Sequence, residues 1–294
     1  MPVYRNFSQA ELDAEYNNRA RFPNFDDHFA AWERWSEATR ARHSSAIIDD
    51  AFGPDPNERI DIFPAAGDGC PIYVFIHGGY WYSLDKRNYS YTADGMNPHG
   101  IATVVNNFGL APEYDMDQIV EHNRAALAHI WRTAHQWGGD CNRIYVGGHS
   151  AGGHLAAMLL MTDWPRYQAG LPAGLVRGAC AIGGIFDLEP IRLSFLNQKL
   201  YLTEQQVAVH SPLQQKIEID APMLLIIAED ESPEFHRQTD EMHEFWSRHG
   251  LVSEKQVPSG LDHFDVVNKL GDPNCPLVAA QLRHMALAFR ANTP

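Results

Sequence analysis

The chain has 294 residues, of which 45% are hydrophobic and 20% are charged, and its formal net charge is −14. The composition is that of an ordinary globular protein, while the acidic balance and the lack of a basic run argue against a nucleic-acid or anionic-membrane partner. The first residues lack the apolar core of a signal peptide, and no stretch has the apolar length of a transmembrane helix. Four dispersed cysteines without a C-x-x-C pair predict reduced thiols in a cytoplasmic protein; they are Cys70, Cys141, Cys180 and Cys275.

Residues 8–44 are predicted to form a helical extension. Ser8 and Glu11 have the spacing of a helix-initiating capping box, and Pro23 interrupts the pattern. Beyond this proline, apolar side chains recur at helical spacing, at Phe29, Trp32, Trp35 and Ala38. We expect this apolar face to pack against the main body of the protein, with a cap over a functional site as the alternative.

From about residue 59, short β-rich runs alternate with helical ones. Residues 59–63 alternate polar and apolar, which predicts a half-exposed strand, whereas residues 71–76 are apolar throughout, as in a strand covered on both faces. Further strands are predicted at 102–106, 143–147, 179–182, 223–227 and 254–257, with helices at 117–137 and 276–291. This alternation predicts a mainly parallel sheet with helices on both faces. We expect one α/β domain over residues 1–294, with the helical extension at about 8–44 as part of it.

The segment Gly148-His149-Ser150-Ala151-Gly152 lies between a predicted strand and a predicted helix. A G-x-S-x-G pentapeptide in that context is the nucleophile elbow of the α/β-hydrolase fold. Glycines are needed there because the backbone packs closely and the serine takes a strained conformation that exposes its Oγ. The start of the following helix also helps to stabilise negative charge. We interpret Ser150 as a nucleophile; the alternative is a glycine-rich loop with an incidental serine.

His77-Gly78-Gly79-Tyr80-Trp81 directly follows the central predicted strand. In lipases and esterases, a glycine-rich loop at this place presents backbone N–H groups to the developing oxyanion. Tyr80 replaces the third glycine here, but Gly78 and Gly79 remain, and together with the N–H of Ala151 they are candidates for an oxyanion hole. Removing one such donor typically lowers the rate by about 10²–10³-fold. The alternative is a β–α turn that needs two glycines for its geometry.

A serine nucleophile needs a general base, and in this fold class the chain order is serine, acid, histidine. The base is expected in the loop after the last strand, which makes His263 the candidate among 15 histidines. Two rivals have simpler explanations, since His149 is the variable residue of the elbow and His154 begins the next helix. No H-E-x-x-H motif or third ligand accompanies them, so we expect neither a metal nor another cofactor.

The acid of the triad is expected after the penultimate strand, where Asp230 and Glu231 are adjacent. In related hydrolases a small residue ends this strand and the acid follows three positions later; counting from Ala228 gives Glu231. Asp230 is the usual residue type but lies one position early. We prefer Glu231, because register sets the direction of a side chain, and Asp230 stays the alternative.

Taken together, these segments resemble the kynurenine formamidase (arylformamidase) family of serine α/β-hydrolases. The elbow at residues 148–152 and the loop at residues 77–81, which we name the oxyanion loop, are two of the similar segments. The others are Ala14-Glu15-Tyr16-Asn17-Asn18-Arg19-Ala20, Gly109-Leu110-Ala111-Pro112-Glu113, Gly184-Ile185-Phe186-Asp187-Leu188-Glu189-Pro190 and Ser232-Pro233-Glu234-Phe235. Many esterases share the elbow and the oxyanion loop, whereas Tyr80-Trp81 and Ser232-Pro233-Glu234-Phe235 are more particular. The family usually has Asp directly before Ser-Pro-Glu-Phe, where this chain has Glu231, which supports that position as the acid.

The resemblance implies hydrolysis of an N-formyl aryl amine such as N-formylkynurenine, with release of formate. Such a substrate needs a tight acyl pocket and an apolar wall, for which Tyr80 and Trp81 are the candidate substrate-binding residues, with Tyr82 and the apolar side chains of residues 186–201 as further candidates.

The alternative activity is that of a carboxylesterase for small acyl esters, because the acyl-enzyme chemistry is common to both. A third hypothesis is a binding protein on an inactive hydrolase fold, against which the intact Ser150 and His263 argue. The expected partner is a small aromatic amide or ester, without nucleic acid or membrane, and a homodimer is left open.

Overall fold

The computed structural model describes the backbone of residues 2–291 and the side chains of residues 2–286. The strands within that range form one eight-stranded sheet: β1 Ile47–Ala51, β2 Arg59–Phe63, β3 Cys70–Ile76, β4 Ala102–Asn106, β5 Gly139–His149, β6 Val176–Ile182, β7 Met223–Ile226 and β8 Ser253–Gln256. Their order is β1-β2-β4-β3-β5-β6-β7-β8. The β1–β2 and β2–β4 pairs are antiparallel and the other pairs are parallel. The prediction of a mainly parallel sheet is confirmed.

Helices connect and cover these strands. In the described part of the chain they are α1 Gln9–Tyr16, α2 Asn18–Arg21, α3 Phe25–Arg42, α4 Thr92–Met96, α5 Met116–Thr133, α6 Ala151–Leu160, α7 Trp164–Tyr167, α8 Glu189–Leu193, α9 Asn197–Leu200, α10 Glu204–His210, α11 Pro233–Arg248, α12 Asp265–Asn268 and α13 Pro276–Ala291. Short 3₁₀ turns lie at Lys86–Asn88, Asn97–His99, Ala134–Trp137, Pro212–Gln214 and Lys269–Gly271. Between residues 2 and 291, no helix is long and apolar enough to cross a membrane.

The position of the central strand β3 between two apolar layers explains why its sequence is apolar throughout. Successive side chains of a strand point to opposite faces. Ile72 and Val74 belong to the apolar layer that contains residues of α5 and α6. Tyr73 and Phe75 belong to the layer on the other face, which contains residues of α3, α4 and α13. Helices therefore cover both faces of the sheet, as predicted.

The prediction of a half-exposed strand at residues 59–63 is wrong. Ile60, Asp61, Ile62 and Phe63 of β2 are all at most 1% exposed. Asp61 can be buried because the Nζ of Lys86, itself 2% exposed, lies 2.5 Å from its Oδ1. Lys86 comes from a distant turn, so the alternating pattern of the strand could not reveal this partner.

The N-terminal extension divides into α1, α2 and α3, with breaks at Asn17 and around Pro23. The expected capping box begins α1, where the Ser8 N–H donates to a carboxylate oxygen of Glu11 over 2.8 Å. α1 packs against α11, and α3 packs near α12 and the turn that follows the oxyanion loop. The extension therefore lies beside the carboxyl ends of β3, β5, β7 and β8, where the candidate site residues follow their strands.

Candidate active site

Ser150 lies at the sharp turn between β5 and α6 and is 2% exposed. Its φ of 56° is in the left-handed region, which costs a non-glycine residue energy. The turn is fixed because the Ser150 N–H donates to the carbonyl of Ile182 over 2.7 Å. A Cβ at Gly148 would lie 2.2 Å from the carbonyl oxygen of Gly152, and one at Gly152 would lie 2.0 Å from that of Ile76. The two glycines of the pentapeptide are therefore required by close backbone packing.

The structure brings Glu231 and His263 together. Oε1 of Glu231, after β7, lies 2.6 Å from Nδ1 of His263, after β8, and the two side chains are 0% and 3% exposed. Asp230, the alternative acid, is exposed, and its backbone N–H donates to the carbonyl of Leu261. The register argument thus selected the residue that faces the histidine.

Gly183 is what allows the Glu231–His263 pair to fit. It has a φ of +54°, and a Cβ there would lie 2.8 Å from Glu231 Oε1 and 3.3 Å from His263 Nδ1. Ser150 and His263 line the same cavity. No direct hydrogen bond joins them among the described residues, and such bonds often tighten only when substrate binds.

His149 supports His263 in a way that the sequence did not reveal. Its Nε2 lies 2.8 Å from the backbone carbonyl of His263, and the two rings are 4.6 Å apart. Burial, and secondarily the neighbouring His263, lower the pKa of His149 well below its ordinary value. A neutral His149 therefore donates its Nε2–H to that carbonyl and holds the loop that carries His263.

The loop after β3 lies against the elbow. A Cβ at Gly78 would come within 2.9 Å of the His149 carbonyl oxygen and 3.2 Å of the Ser150 Cβ. Gly79, Tyr80 and Trp81 have φ values of 100°, 49° and 57°, a run of left-handed backbone that is costly for the two aromatic residues. Ala151 is the first residue of α6, so its N–H has no acceptor within the helix. The candidate oxyanion residues Gly78, Gly79 and Ala151 are thus gathered around Ser150.

Tyr80 and Trp81 each hold the strained oxyanion loop through a side-chain hydrogen bond to another part of the fold. The hydroxyl of Tyr80 donates to the backbone carbonyl of Tyr16 over 2.7 Å, which ties the loop to the N-terminal extension. Trp81 is fully buried and donates its Nε1–H to Nδ1 of His154 over 3.2 Å. Trp81 is not among the residues that line the cavity at Ser150, whereas Tyr80 is. The structure therefore gives Trp81 a supporting position behind the loop and not the expected position on the substrate wall.

The cavity beside Ser150 is small and mostly aromatic. Its volume is about 30 Å³. Its aromatic walls come from the N-terminal extension, the oxyanion loop and the segments near it, namely Phe29, Trp32, Tyr80, Tyr82, Tyr89 and Phe264. The aromatics of residues 186–201 do not line this cavity; Phe186 is fully buried and Tyr201 is 68% exposed. Part of the extension therefore does cap the site, which was the alternative expectation for it.

A cluster of potential metal ligands lies near His263. Atoms of His28, Asp262 and Asp265 come within 4.8 Å of one another. Oδ1 of Asp262 already accepts the backbone N–H groups of Phe264 and Asp265, over 2.7 and 2.8 Å. The His28 ring nitrogens lie 3.0 and 3.1 Å from side-chain amides of Asn268 and Asn24. These contacts order the turn that follows His263.

Comparisons with known proteins agree with this fold and with a hydrolase. A family model described as BD-FAE matches residues 60–167, a range that contains both the oxyanion loop and the elbow. Kynurenine formamidase of Danio rerio is 29% identical over 297 residues, covering 96% of this chain and 98% of the relative. Kynurenine formamidase of Salmo salar is also 29% identical, over 268 residues, with 88% of each chain covered.

Among solved structures, a provisionally assigned thioesterase from Silicibacter sp. TM1040 superimposes with a TM-score of 0.81 at 27% identity, covering 92% of this chain and 98% of the other. The similarity to kynurenine formamidases runs over nearly the whole chain, and the sheet has the topology of an α/β-hydrolase. The chain is a hydrolase of the α/β-hydrolase fold, and its sequence is similar to kynurenine formamidases over nearly its whole length.

Proposed function

We propose that this enzyme hydrolyses a short N-acyl aryl amide, above all an N-formyl one, through an acyl-enzyme at Ser150. The observation that carries the proposal is the size and lining of the cavity that holds Ser150 and His263. The cavity's small volume, about 30 Å³, suits a small acyl group such as formyl. An aromatic leaving group would lie against the aromatic walls towards the mouth. The names of the relatives from Danio rerio and Salmo salar support the same substrate class.

In the proposed reaction, Ser150 Oγ attacks the acyl carbon and its proton passes to His263 Nε2. Glu231 stays ionised, accepts the Nδ1–H of His263 and stabilises the imidazolium as it forms. When the C–N bond breaks, the same Nε2–H protonates the leaving amine. Water then attacks the acyl-enzyme with His263 again as base, which releases formate or a small acid and restores Ser150.

The proposed oxyanion hole consists of backbone N–H groups from Gly78, Gly79 and Ala151. The negative oxygen of the tetrahedral intermediate would lie between the loop after β3 and the start of α6. Its position close to a helix N-terminus adds a favourable dipole. Each such donor typically raises the rate by about 10²–10³-fold. The strained Gly79–Trp81 backbone would therefore lower stability but place donors where the reaction needs them.

We also propose that the enzyme is a single functional domain. The extension at about 8–44 supports this, because Phe29 and Trp32 supply part of the cavity wall and Tyr16 binds the oxyanion loop. A cytoplasmic location is part of the proposal and is supported by free thiols at Cys70, Cys141, Cys180 and Cys275.

The second candidate function is a carboxylesterase for small acyl esters. The same triad, oxyanion hole and acyl cavity would serve an ester. The similarity to the provisionally assigned thioesterase supports ester hydrolysis as the second candidate activity. The two substrates differ in the leaving group, since an amine must be protonated as it departs and an activated phenolate need not be.

The test compares formate release from N-formylkynurenine with hydrolysis of p-nitrophenyl acetate. We expect a higher kcat/KM for the formamide, and loss of both activities in Ser150→Ala with an unchanged circular dichroism spectrum. The double variant Ser150→Ala/His263→Ala should be little worse than either single variant, because triad members act as a unit. Near-normal turnover by a folded Ser150→Ala protein would refute the proposal, and a preference for the ester would select the second function.

A further inference from the structure

Asn18, the first residue of α2, has an unusual environment. The residue lines the cavity together with Ser150 and His263, and it is only 3% exposed. Neither its Oδ1 nor its Nδ2 has a hydrogen-bond partner among the described residues. A buried polar group without a partner destabilises the folded protein, so structural asparagines are normally hydrogen-bonded.

The backbone around Asn18 is fixed on both sides. The Tyr16 carbonyl accepts the Tyr80 hydroxyl over 2.7 Å, and the Tyr16 hydroxyl donates to Glu234 over 3.0 Å. The Asn17 side chain accepts the N–H of Ala20, and the carbonyl of Asn18 accepts the N–H of Phe22 over 2.9 Å. The backbone of Asn18 is therefore held beside the cavity.

The chemistry of the surroundings indicates what the carboxamide would bind. Phe29 and Trp32 in the cavity wall carry no hydrogen-bond acceptor, and none of the described residues accepts from the Asn18 amide. A carboxamide presents one acceptor oxygen and two donors. Its oxygen needs a donor, and a secondary amide supplies one in its N–H. An ester of the same shape has acceptors only.

We propose that Asn18 is a substrate-binding residue that selects amides over esters, with its Oδ1 accepting the N–H of the scissile amide. This inference rests on the proposed function and names its substrate class more narrowly. When an ester occupies the cavity, Oδ1 keeps no partner, and a site built around such a hydrogen bond discriminates against a substrate that lacks the donor.

The experiment uses formanilide and phenyl formate, which share the formyl and phenyl groups and differ in N–H against O. Asn18→Leu keeps the size of the side chain and removes its polar atoms. We expect kcat/KM for formanilide to fall by about 10–100-fold, because the amide N–H is then buried without a partner. The value for phenyl formate should stay within about threefold, so the amide-to-ester ratio falls. The midpoint of urea unfolding should be unchanged or higher, since an unpaired polar group has been removed.

Asn17→Ala is the matched control. This neighbouring asparagine caps α2 and does not line the cavity, so its loss should lower the urea midpoint while leaving the amide-to-ester ratio as it was.

Equal effects of Asn18→Leu on both substrates, or no effect, would overturn the inference, as would a wild-type enzyme that cleaves only the ester. Those results leave the serine mechanism standing if Ser150→Ala is inactive. Activity in Ser150→Ala would instead refute the proposed function itself.

Discussion

Replacing Glu231 with glutamine tests the proposed triad most directly. The side chain of Glu231 is 0% exposed, and its Oε1 lies 2.6 Å from Nδ1 of His263, which is itself 3% exposed. Glutamine keeps the volume but removes the negative charge that fixes the histidine tautomer and stabilises the imidazolium. The other carboxylate oxygen, Oε2, has no hydrogen-bond partner among the described residues, so the pair depends on this one contact.

The expected loss follows from that geometry. Removing the corresponding charge from a well-characterised serine triad lowers kcat by about 10⁴-fold, which is about 5 kcal/mol of activation free energy. We expect the same order here, because both side chains are excluded from water and little solvent screens their interaction. Glu231→Asp should be intermediate, at about 10²-fold, since a displacement of about 1 Å in a catalytic group typically has that effect.

The assay is kcat and KM for N-formylkynurenine, with Asp230→Asn as the matched control. Asp230 is exposed, and a surface charge contributes about 0–1 kcal/mol, so the control should lose less than about fivefold. KM should change little in either variant. A Glu231→Gln enzyme with more than about a tenth of the wild-type kcat would refute the reasoning. A large loss in Asp230→Asn alone would move the assignment to Asp230.

Three further predictions concern the frame around the triad. Gly183→Ala should lower kcat by about 10²-fold, because the new Cβ would contact Glu231 and His263. The control is Gly100→Ala, at a φ of +74° with open space around the Cβ, which should lower the free energy of unfolding but not kcat. Equal losses of kcat in the two variants would contradict this prediction. Lys86→Met should lower the free energy of unfolding by about 3–5 kcal/mol, because it leaves the buried charge of Asp61 unpaired. Adding Asp61→Leu to this variant should recover much of the lost free energy in urea titrations. No recovery would show that the Lys86–Asp61 ion pair is not the source of the loss. Burial lowers the pKa of His154 to about 3, so the protein binds fewer protons when folded and stability should fall as the pH drops below 6.5, by about 1.4 kcal/mol per pH unit. His154→Gln should flatten the dependence of the urea midpoint on pH by about one proton, and an unchanged slope would exclude His154 as the source.

The parts of the site that sequence could predict are those fixed by local geometry. A serine between two glycines at a strand–helix junction specifies its own backbone conformation. The choice between Asp230 and Glu231 depended on counting from the end of one strand, and the structure turns Glu231 towards His263 while Asp230 stays exposed. The order of strand, helix and loop was enough for these expectations, because each residue directly follows a buried parallel strand.

The cavity walls were beyond such reasoning, because they depend on contacts between distant segments. Tyr80 and Trp81 are adjacent aromatics, and nothing in their spacing says that one lines the cavity while the other packs on His154. The spacing of Phe29 and Trp32 predicts an apolar helix face, but only the fold shows which side of the sheet that face covers. Asn18 lies in a segment that stands out in the sequence only by resemblance, and its missing hydrogen bonds have no signature in sequence.

In the proposed mechanism, the chemistry and the selection of substrate depend on different parts of the fold. Loops at the carboxyl ends of the sheet supply Ser150, Glu231 and His263, an arrangement that serves amides and esters alike. The N-terminal extension supplies Asn18 and part of the aromatic wall, and Tyr16 joins it to the oxyanion loop through Tyr80. Because cleaving an amide requires His263 to protonate the departing nitrogen, a residue that fixes the amide N–H also sets the direction from which that nitrogen meets the histidine. Selectivity and rate for amides should consequently change together when Asn18 is altered, whereas ester hydrolysis should be much less sensitive to that change.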